Sequence, residues 1–395
     1  MSEWKKVKLG ELCEFINGGA WSDKEYVSEG IPVLKVTNCK TTGFVLSELN
    51  YLPSSSRQKY SQNELQLNDV IIATVGSHPN LVNSAAGRSV IVNSLVVGFF
   101  LNQNAVCIRT KNNNILNQLY LGYYSKYYLF QNYIQMRGKG AANQMRIAIS
   151  AIKDYPMPLL PIENQERIAT ILSRYDSLIE NYQKQIKLLE ESAQRLYKEW
   201  FIDFRFLGHE NTKIVDGVPE GWEKANLGTL VEFKRGKTIT KKEAVEGNIP
   251  VVAGGLEPAY YCNKSNTSER VITISASGAN AGYTKMYFEE VWASDCSFAD
   301  NSMTPYLHFI FCFLRDNKTT IDNMQKGSAQ PHVYAKDINA MELCLPETSI
   351  LQTFEEKVSK CFDTISSLIF QIRLLTEARD RLLPRLMNEE LEIYK

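Results

Sequence analysis

The chain has 395 residues, 44% apolar and 22% charged, and its 44 basic and 44 acidic side chains leave no net charge. That length predicts two to three domains, each able to bury a core, and the composition excludes disordered, fibrous and disulfide-rich classes. The longest apolar stretches, around residues 95–101 and 306–314, are too short to span a bilayer, and Met1-Ser2-Glu3-Trp4 opens no signal peptide. The expectation is a cytoplasmic protein with no membrane partner. The eight cysteines have no Cys-x-x-Cys pair and no zinc spacing with the four histidines, so they read as reduced core residues.

In chain order, the first feature is Trp4-x4-Leu9-Gly10-x-Leu12-x-Glu14-Phe15, followed by a polar segment at 18–24 and by Ile31-Pro32-Val33. Short Val/Ile-rich runs at 70–75 and 89–97 predict strands. Residues 115–134 place Leu116, Leu119, Tyr123, Tyr127, Phe130 and Ile134 at three- and four-residue spacing, which predicts one amphipathic helix whose tyrosines belong to the core, with stacking on bases as the alternative. After Leu160-Pro161, Ile168, Leu172, Tyr175, Ile179, Tyr182, Ile186, Leu189, Ala193 and Leu196 form a heptad ladder on one long helix. A Gly/Pro-containing connector at 208–221 ends this half.

The features then recur. Trp222-x4-Leu227-Gly228-x-Leu230-x-Glu232-Phe233 repeats the opening at an offset of 218, as does Ile249-Pro250-Val251. The run 271–275 predicts a strand and 306–314 an aromatic helix. After Leu345-Pro346, a second ladder of Phe354, Val358, Cys361, Ile365, Leu368, Ile372, Leu375 and Leu382 lies 186 residues beyond the first. Arg379 interrupts that seam, and Pro384 is expected to kink or end the helix. Residues 4–204 and 222–388 are thus two copies of one unit. The organisation expected is a globular part at 1–158, a spacer helix at 159–207, a second globular part at 208–345 and a second spacer helix at 346–395. Each apolar stripe needs a partner, the simplest being its duplicate. About forty residues make a rod of about 60 Å. A parallel pair would put both globular parts at one end, an antiparallel pair one at each end.

The charge is unevenly spread. Residues 1–158 hold sixteen basic and ten acidic side chains, and residues 207–345 hold fourteen and seventeen. No Asp or Glu occurs from Val70 to Lys153, a stretch carrying Arg88, Arg109, Lys111, Lys126, Arg137, Lys139, Arg146 and Lys153. Acid-free polar stretches suit phosphates and base edges. In the second copy the matching signal is Lys234, Arg235, Lys237, Lys241 and Lys242. Base readout needs Arg or Lys for guanine and Asn or Gln for adenine. Two pairs of Gly-containing loops carry such side chains. One pair offers Arg137, Lys139, Asn143, Gln144 and Arg146 in the first copy, and Lys326, Ser328, Gln330 and His332 in the second. The other follows the central strand, with Thr74, Ser77, His78 and Asn80, then Ser275, Ser277, Asn280 and Tyr283. The segments 18–24 and 236–242 are a third candidate pair.

Catalytic readings fail on the residues. Gly236-Lys237-Thr238 lacks the glycine a phosphate-binding loop needs five residues earlier, where Val231 stands. No Asp/Asn-Pro-Pro-Tyr sequence holds a flipped base, no Gly-rich turn suits a methyl donor, and His78, His209, His308 and His332 have no metal spacing. The chain reads as a selector of sites without catalytic groups, metal or cofactor of its own.

The duplicated opening, the helix start Pro161-Ile162-Glu163-Asn164-Gln165-Glu166-Arg167-Ile168, the helix end 196–204 and its counterpart 379–387 resemble the specificity subunits of type I restriction–modification enzymes. The resemblance covers essentially the whole chain. It implies an α+β fold: two similar mixed α/β target recognition domains separated by two long helices, packed as an antiparallel coiled coil with a pseudo-two-fold internal repeat. It also implies that each globular part reads one half of a split, asymmetric site in double-stranded DNA, with the helices setting the gap. Two modification subunits would dock on this frame and methylate adenine N6 with S-adenosylmethionine. Restriction (motor–nuclease) subunits would add ATP- and Mg2+-dependent cleavage. The second helix start, Pro346-Glu347-Thr348-Ser349-Ile350-Leu351-Gln352, departs from the first. Two other classes fit the residues: a specificity subunit of another methyltransferase–nuclease system, and a coiled-coil scaffold that does not touch DNA.

Overall fold

The computed structural model describes residues 4–40, 43–46, 49–77, 85–141, 144–327 and 330–388. The chain forms two compact units, Met1–Ile179 with Arg373–Lys395, and Glu180–Ile372. Two 40-residue helices, Ile162–Phe201 and Thr348–Met387, contribute to both.

Each unit repeats the same three sheets. In the first, an antiparallel sheet runs Cys13–Asn17, Ala105–Thr110, Val70–Ala73, Ser89–Ile91. In the second, the order Lys234–Arg235, Cys296–Asp300, Val271–Ser275, Thr284–Tyr287 is equivalent. Beside it lies a mixed sheet with Ile31–Leu34 at its centre in one unit and Ile249–Val252 in the other, each pairing parallel to one neighbour and antiparallel to the second. A two-stranded pair then ties each opening motif to the strand before its long helix: Lys6–Lys8 with Pro156–Pro158, and Glu223–Asn226 with Glu342–Leu345. The central strands are buried at every position, as their unbroken apolar runs require.

The run 115–134 is two helices, Gln118–Tyr124 and Tyr128–Gln135, not the single helix its spacing predicts. The Ser125 carbonyl accepts hydrogen bonds from the Ser89 hydroxyl (3.0 Å) and the Gln131 amide, and Tyr127 is extended. Side chains have replaced the helical ladder at this point. Tyr120, Tyr123 and Tyr127 are fully buried, which removes them from base stacking. The run 89–97 keeps only Ser89–Ile91 as strand. The connector 208–221 is a small hairpin, Ile214–Val215 with Val218–Pro219.

Helix pairing is start to end in each unit. In the first unit Ile168 and Leu172 share one core with Leu386 and Met387. In the second, Tyr197, Trp200 and Phe201 pack on Phe354 with ring centroids 6.3, 5.8 and 4.9 Å apart. This is antiparallel pairing. Pro384 does not end the helix, which continues to Met387 with the Asn388 amide donating to the Pro384 carbonyl at 2.9 Å. Pro384 lacks the N–H that would bond to the Asp380 carbonyl, so one rung of the ladder is missing. Arg379 is a half-buried charge answered by Asp176 and Asp380, and Tyr123 donates to the other Asp176 oxygen at 2.7 Å. Burial lowers the Lys126 pKa beside this group, with Asp176 opposing.

Among the seam positions, Ile168, Leu172, Ile179, Phe354, Val358, Ile365 and Leu368 are buried, and Tyr175, Tyr182, Ile186, Leu189, Leu196, Cys361, Ile372, Leu375 and Leu382 half-buried. The second helix buries Phe362 rather than Cys361 because the globular part claims that face. The His308 ring stacks on Phe362 at 4.5 Å, and the Glu355 carboxylate accepts the amides of His308 (3.2 Å) and Phe309 (3.1 Å) at the start of the helix Leu307–Asp316. Gln165, fully buried, accepts from the Asn117 amide (2.9 Å) and donates to the carbonyls of Ile115 and Leu160 (3.0 and 2.8 Å), anchoring the first long helix. Leu351 takes the equivalent place 186 residues on, so the departure in wording at the second helix start exchanges a polar anchor for an apolar one. Six of the eight cysteines are buried and all are free; burial pushes the thiols of Cys13, Cys39 and Cys296 up to about 12.

Candidate nucleic-acid interface

In both units the two Gly-containing loops meet. In the first, Gln144–Arg146 pairs with Lys139–Ala141 on one side and Val75–Gly76 on the other, so the loop after the central strand joins the hairpin before the long helix. In the second, His332 bridges both Ser277 and Lys326. The backbone bonds correspond: Ile147 N–H donates to Thr74 O at 2.8 Å, and Val333 N–H to Ala276 O at 3.0 Å. Thr74 N–H donates to Asn104 O (2.8 Å), and Ala276 N–H to Asp295 O (3.2 Å). The strand registers extend the match, because Asn17 faces Val106 where Arg235 faces Ser297. Equivalent positions are therefore Asn17 and Arg235, Val75 and Ser277, Asn104 and Asp295, Lys139 and Lys326, Arg146 and His332. The unit 2 hairpin is one residue shorter between its end positions (326–332 against 139–146).

Glycine has two jobs here. Gly140 (φ 134°) and Gly327 (φ 103°) turn the hairpins in a conformation that other residues rarely adopt. Gly18 and Gly236 allow close backbone approach: a Cβ would lie 1.9 Å from Asn102 O in one case and 2.5 Å from Ser294 O in the other. The Gly236 N–H donates to Cys296 O at 2.8 Å, so the chain itself takes the donor that a phosphate would need.

The structure sorts the cations. Arg109 makes two 2.7 Å hydrogen bonds to Asp69, just outside the acid-free stretch, and these raise its pKa. Arg88 donates to the Cys39 carbonyl at 2.6 Å, and burial lowers its pKa. Lys111 donates to the carbonyls of Gly10 and Glu11, and Lys153 lies 5.4 Å from the Phe15 ring centroid. With Lys126 turned toward Asp176, the exposed cations on the hairpin are Lys139 and Arg146, with Arg137 on its approach and stacked on Tyr133 at 3.5 Å. The acid-free window overstated the basic surface, because folding brings in carboxylates and carbonyls from elsewhere.

The remaining candidates divide as follows. Thr74 and Ser77 are half-buried at the junction; His78, Asn80, Asn143, Ser328 and the side chain of Gln144 lie outside what is described. In the second unit Lys237, Lys241 and Gln330 are exposed, and Asn280 donates to Gly254 O at 3.2 Å. Ser275 is buried at 4% exposure beneath the interface, which excludes it from readout. Burial raises the Tyr283 pKa although 39% of the residue stays exposed. Lys326 is paired with Asp337 at 2.8 Å. Arg235 and Ser277 both donate to Asp295.

Sequence reasoning missed Asn17, Asn104, Asp295 and Tyr334. Tyr334 is 46% exposed and stacks on His332 at 6.1 Å. The 218-residue offset from Arg235 would have found Asn17; only the fold finds Asp295. Among the described residues no His/Cys/Asp/Glu group is arranged to hold a metal ion, and no helix is long and apolar enough to cross a membrane.

The family model described as the type I restriction modification DNA specificity domain matches residues 1–191 and again 219–374. The chain belongs to the type I specificity subunits. Among curated members of this family, the MjaIX specificity subunit of Methanocaldococcus jannaschii is 30% identical over 269 residues, 62% of each chain. The match thus spans about three fifths of that subunit's length. The putative MjaX specificity subunit of the same organism is 21% identical over 99% of this chain and 94% of its own, and the Haemophilus influenzae HindI specificity subunit 20% identical over 99% and 100%. A crystal structure of the type I restriction–modification S subunit from M. genitalium has the same fold, with a TM-score of 0.55, 19% identity and 97% and 96% of the two chains covered.

Proposed function

We propose that this specificity subunit reads a bipartite, asymmetric site in double-stranded DNA, one half-site per unit. The observation that carries the reading is the duplicated platform. The same backbone registers recur in both units, yet Asn17, Val75, Asn104 and Arg146 face Arg235, Ser277, Asp295 and His332 at equivalent positions. A scaffold with no ligand has no reason to hold a backbone constant while exchanging its exposed donors and acceptors, whereas a reader of two different sequences does. Exposed Lys139, Arg146, Lys237 and Lys241 supply phosphate contacts.

In this reading the long helices set the gap between half-sites, and two modification subunits dock on the frame. Those subunits use S-adenosylmethionine to methylate adenine N6. Motor–nuclease subunits, with ATP and Mg2+, cleave unmodified DNA. This chain chooses the site and carries out no chemical step, in the cytoplasm where its partners and DNA are found.

The test is a genome-wide methylation map of cells carrying the modification subunit, with and without this chain. The expected result is a split N6-methyladenine motif present only with the chain. Co-purification of the two proteins with no motif would overturn the reading.

A further inference from the structure

Asp295 has no basis for its position as a DNA contact, because a carboxylate repels phosphates. It is 33% exposed and accepts from two side chains that arrive on different elements: the Arg235 guanidinium from the edge strand Lys234–Arg235, and the Ser277 hydroxyl from the loop after the central strand. Ser277 is itself bridged to His332 in the reading hairpin. One carboxylate thus clamps an arginine, a loop and a hairpin together. The Arg235 side chain stays 51% exposed, and only its Nη2 engages Asp295. Its other donors are available to a ligand.

We infer that Arg235 reads a guanine in the half-site of the second unit and that Asp295 is its positioning residue. The inference rests on the proposed reading of DNA by each unit. Guanine is the base whose major-groove edge offers two acceptors, O6 and N7, in the spacing of an arginine fork. Adenine offers N7 beside an amino donor, which a guanidinium cannot satisfy. A guanidinium pinned by a carboxylate cannot swing away from a wrong base, and it is ordered before DNA arrives. In the first unit the same three positions are Asn17, Asn104 and Val75. They carry no charge and no clamp, so this particular guanine contact belongs to the second unit alone.

The experiment compares methylation maps of cells carrying the modification subunit with the wild-type chain, Arg235→Gln, Asp295→Asn and Ser277→Ala. In the wild type, one half-site contains an invariant G·C pair. Arg235→Gln relaxes discrimination at that single pair by about 5- to 150-fold, the range of one bidentate contact, and leaves the other half-site unchanged. Asp295→Asn relaxes the same pair to a smaller extent, and Ser277→Ala least. A residue that acted only on folding would lower methylation at every site without altering the motif. Uniform weakening by Arg235→Gln with the motif intact makes Arg235 a phosphate contact and overturns the inference, as does relaxation by Asp295→Asn at a different pair. Absence of any motif with the wild-type chain refutes the underlying reading of DNA instead, which separates the two failures.

Discussion

The two units share a backbone and differ in how their charges are held. In the first, the exposed hairpin cations Lys139 and Arg146 have no acidic partner among the described residues, and the equivalents of the Arg235 clamp are neutral. In the second, Lys326 is tied to Asp337 and Arg235 to Asp295. On the proposed reading of DNA, the loose cations serve as phosphate contacts and the clamped arginine as a base contact. One platform thereby supports two balances between affinity and selectivity.

The largest effects are expected at the cores. Phe354→Ala removes the ring that Tyr197, Trp200 and Phe201 surround, and is expected to cost about 3–5 kcal/mol, read as a drop in the denaturant midpoint. Ile168→Ala, at the equivalent place in the first unit, should cost about 2–4 kcal/mol because a smaller side chain leaves a smaller cavity. An equal loss at both sites would mean that the aromatic cluster adds nothing.

The next largest effect is expected at the half-buried charge of the first unit. Asp176→Ala leaves Arg379, 15% exposed, facing only Asp380, and about 2–3 kcal/mol of stability should be lost in chemical denaturation. Replacing Asp176 and Arg379 together by Leu should recover most of it. Failure of the double variant to recover would show that the pair does more than neutralise itself.

Smaller effects sharpen the comparison at the interface. Lys139→Ala should lower DNA affinity and reduce the slope of log affinity against log salt by roughly 1. Lys326→Ala should change the slope by less, since Asp337 already holds that ammonium. Equal slopes would erase the distinction between loose and clamped cations. The smallest effect expected is from Asn17→Arg, which places the second unit's arginine in the first. Without an acid at position 104 it should strengthen binding slightly and leave the methylation motif unchanged. The double variant with Asn104→Asp should begin to favour a G·C pair there.

The repeat, the buried central strands and both long helices were legible in the residues because each is written in local periodicity: unbroken apolar runs for the strands, three- and four-residue spacing for the helices, and fixed offsets for the duplication. The resemblance carried by the opening motif and helix start matches the family to which the chain belongs. The same local logic failed at 115–134, where Ser125 gives its carbonyl to side chains, while at Pro384 the helix runs on to Met387 without one N–H. It also missed Phe362, because a second packing face does not show in a heptad count. Of the candidate interface, the sequence located the two loops that meet in each unit. Only the tertiary structure decided which of their cations are available. Arg109 and Asp69 are 40 residues apart in the chain, Arg235 and Asp295 are 60 apart, and Arg379 and Asp176 are 203 apart. Charge pairing acts over a few ångströms of space irrespective of chain distance, so it is settled by the fold that brings the partners together.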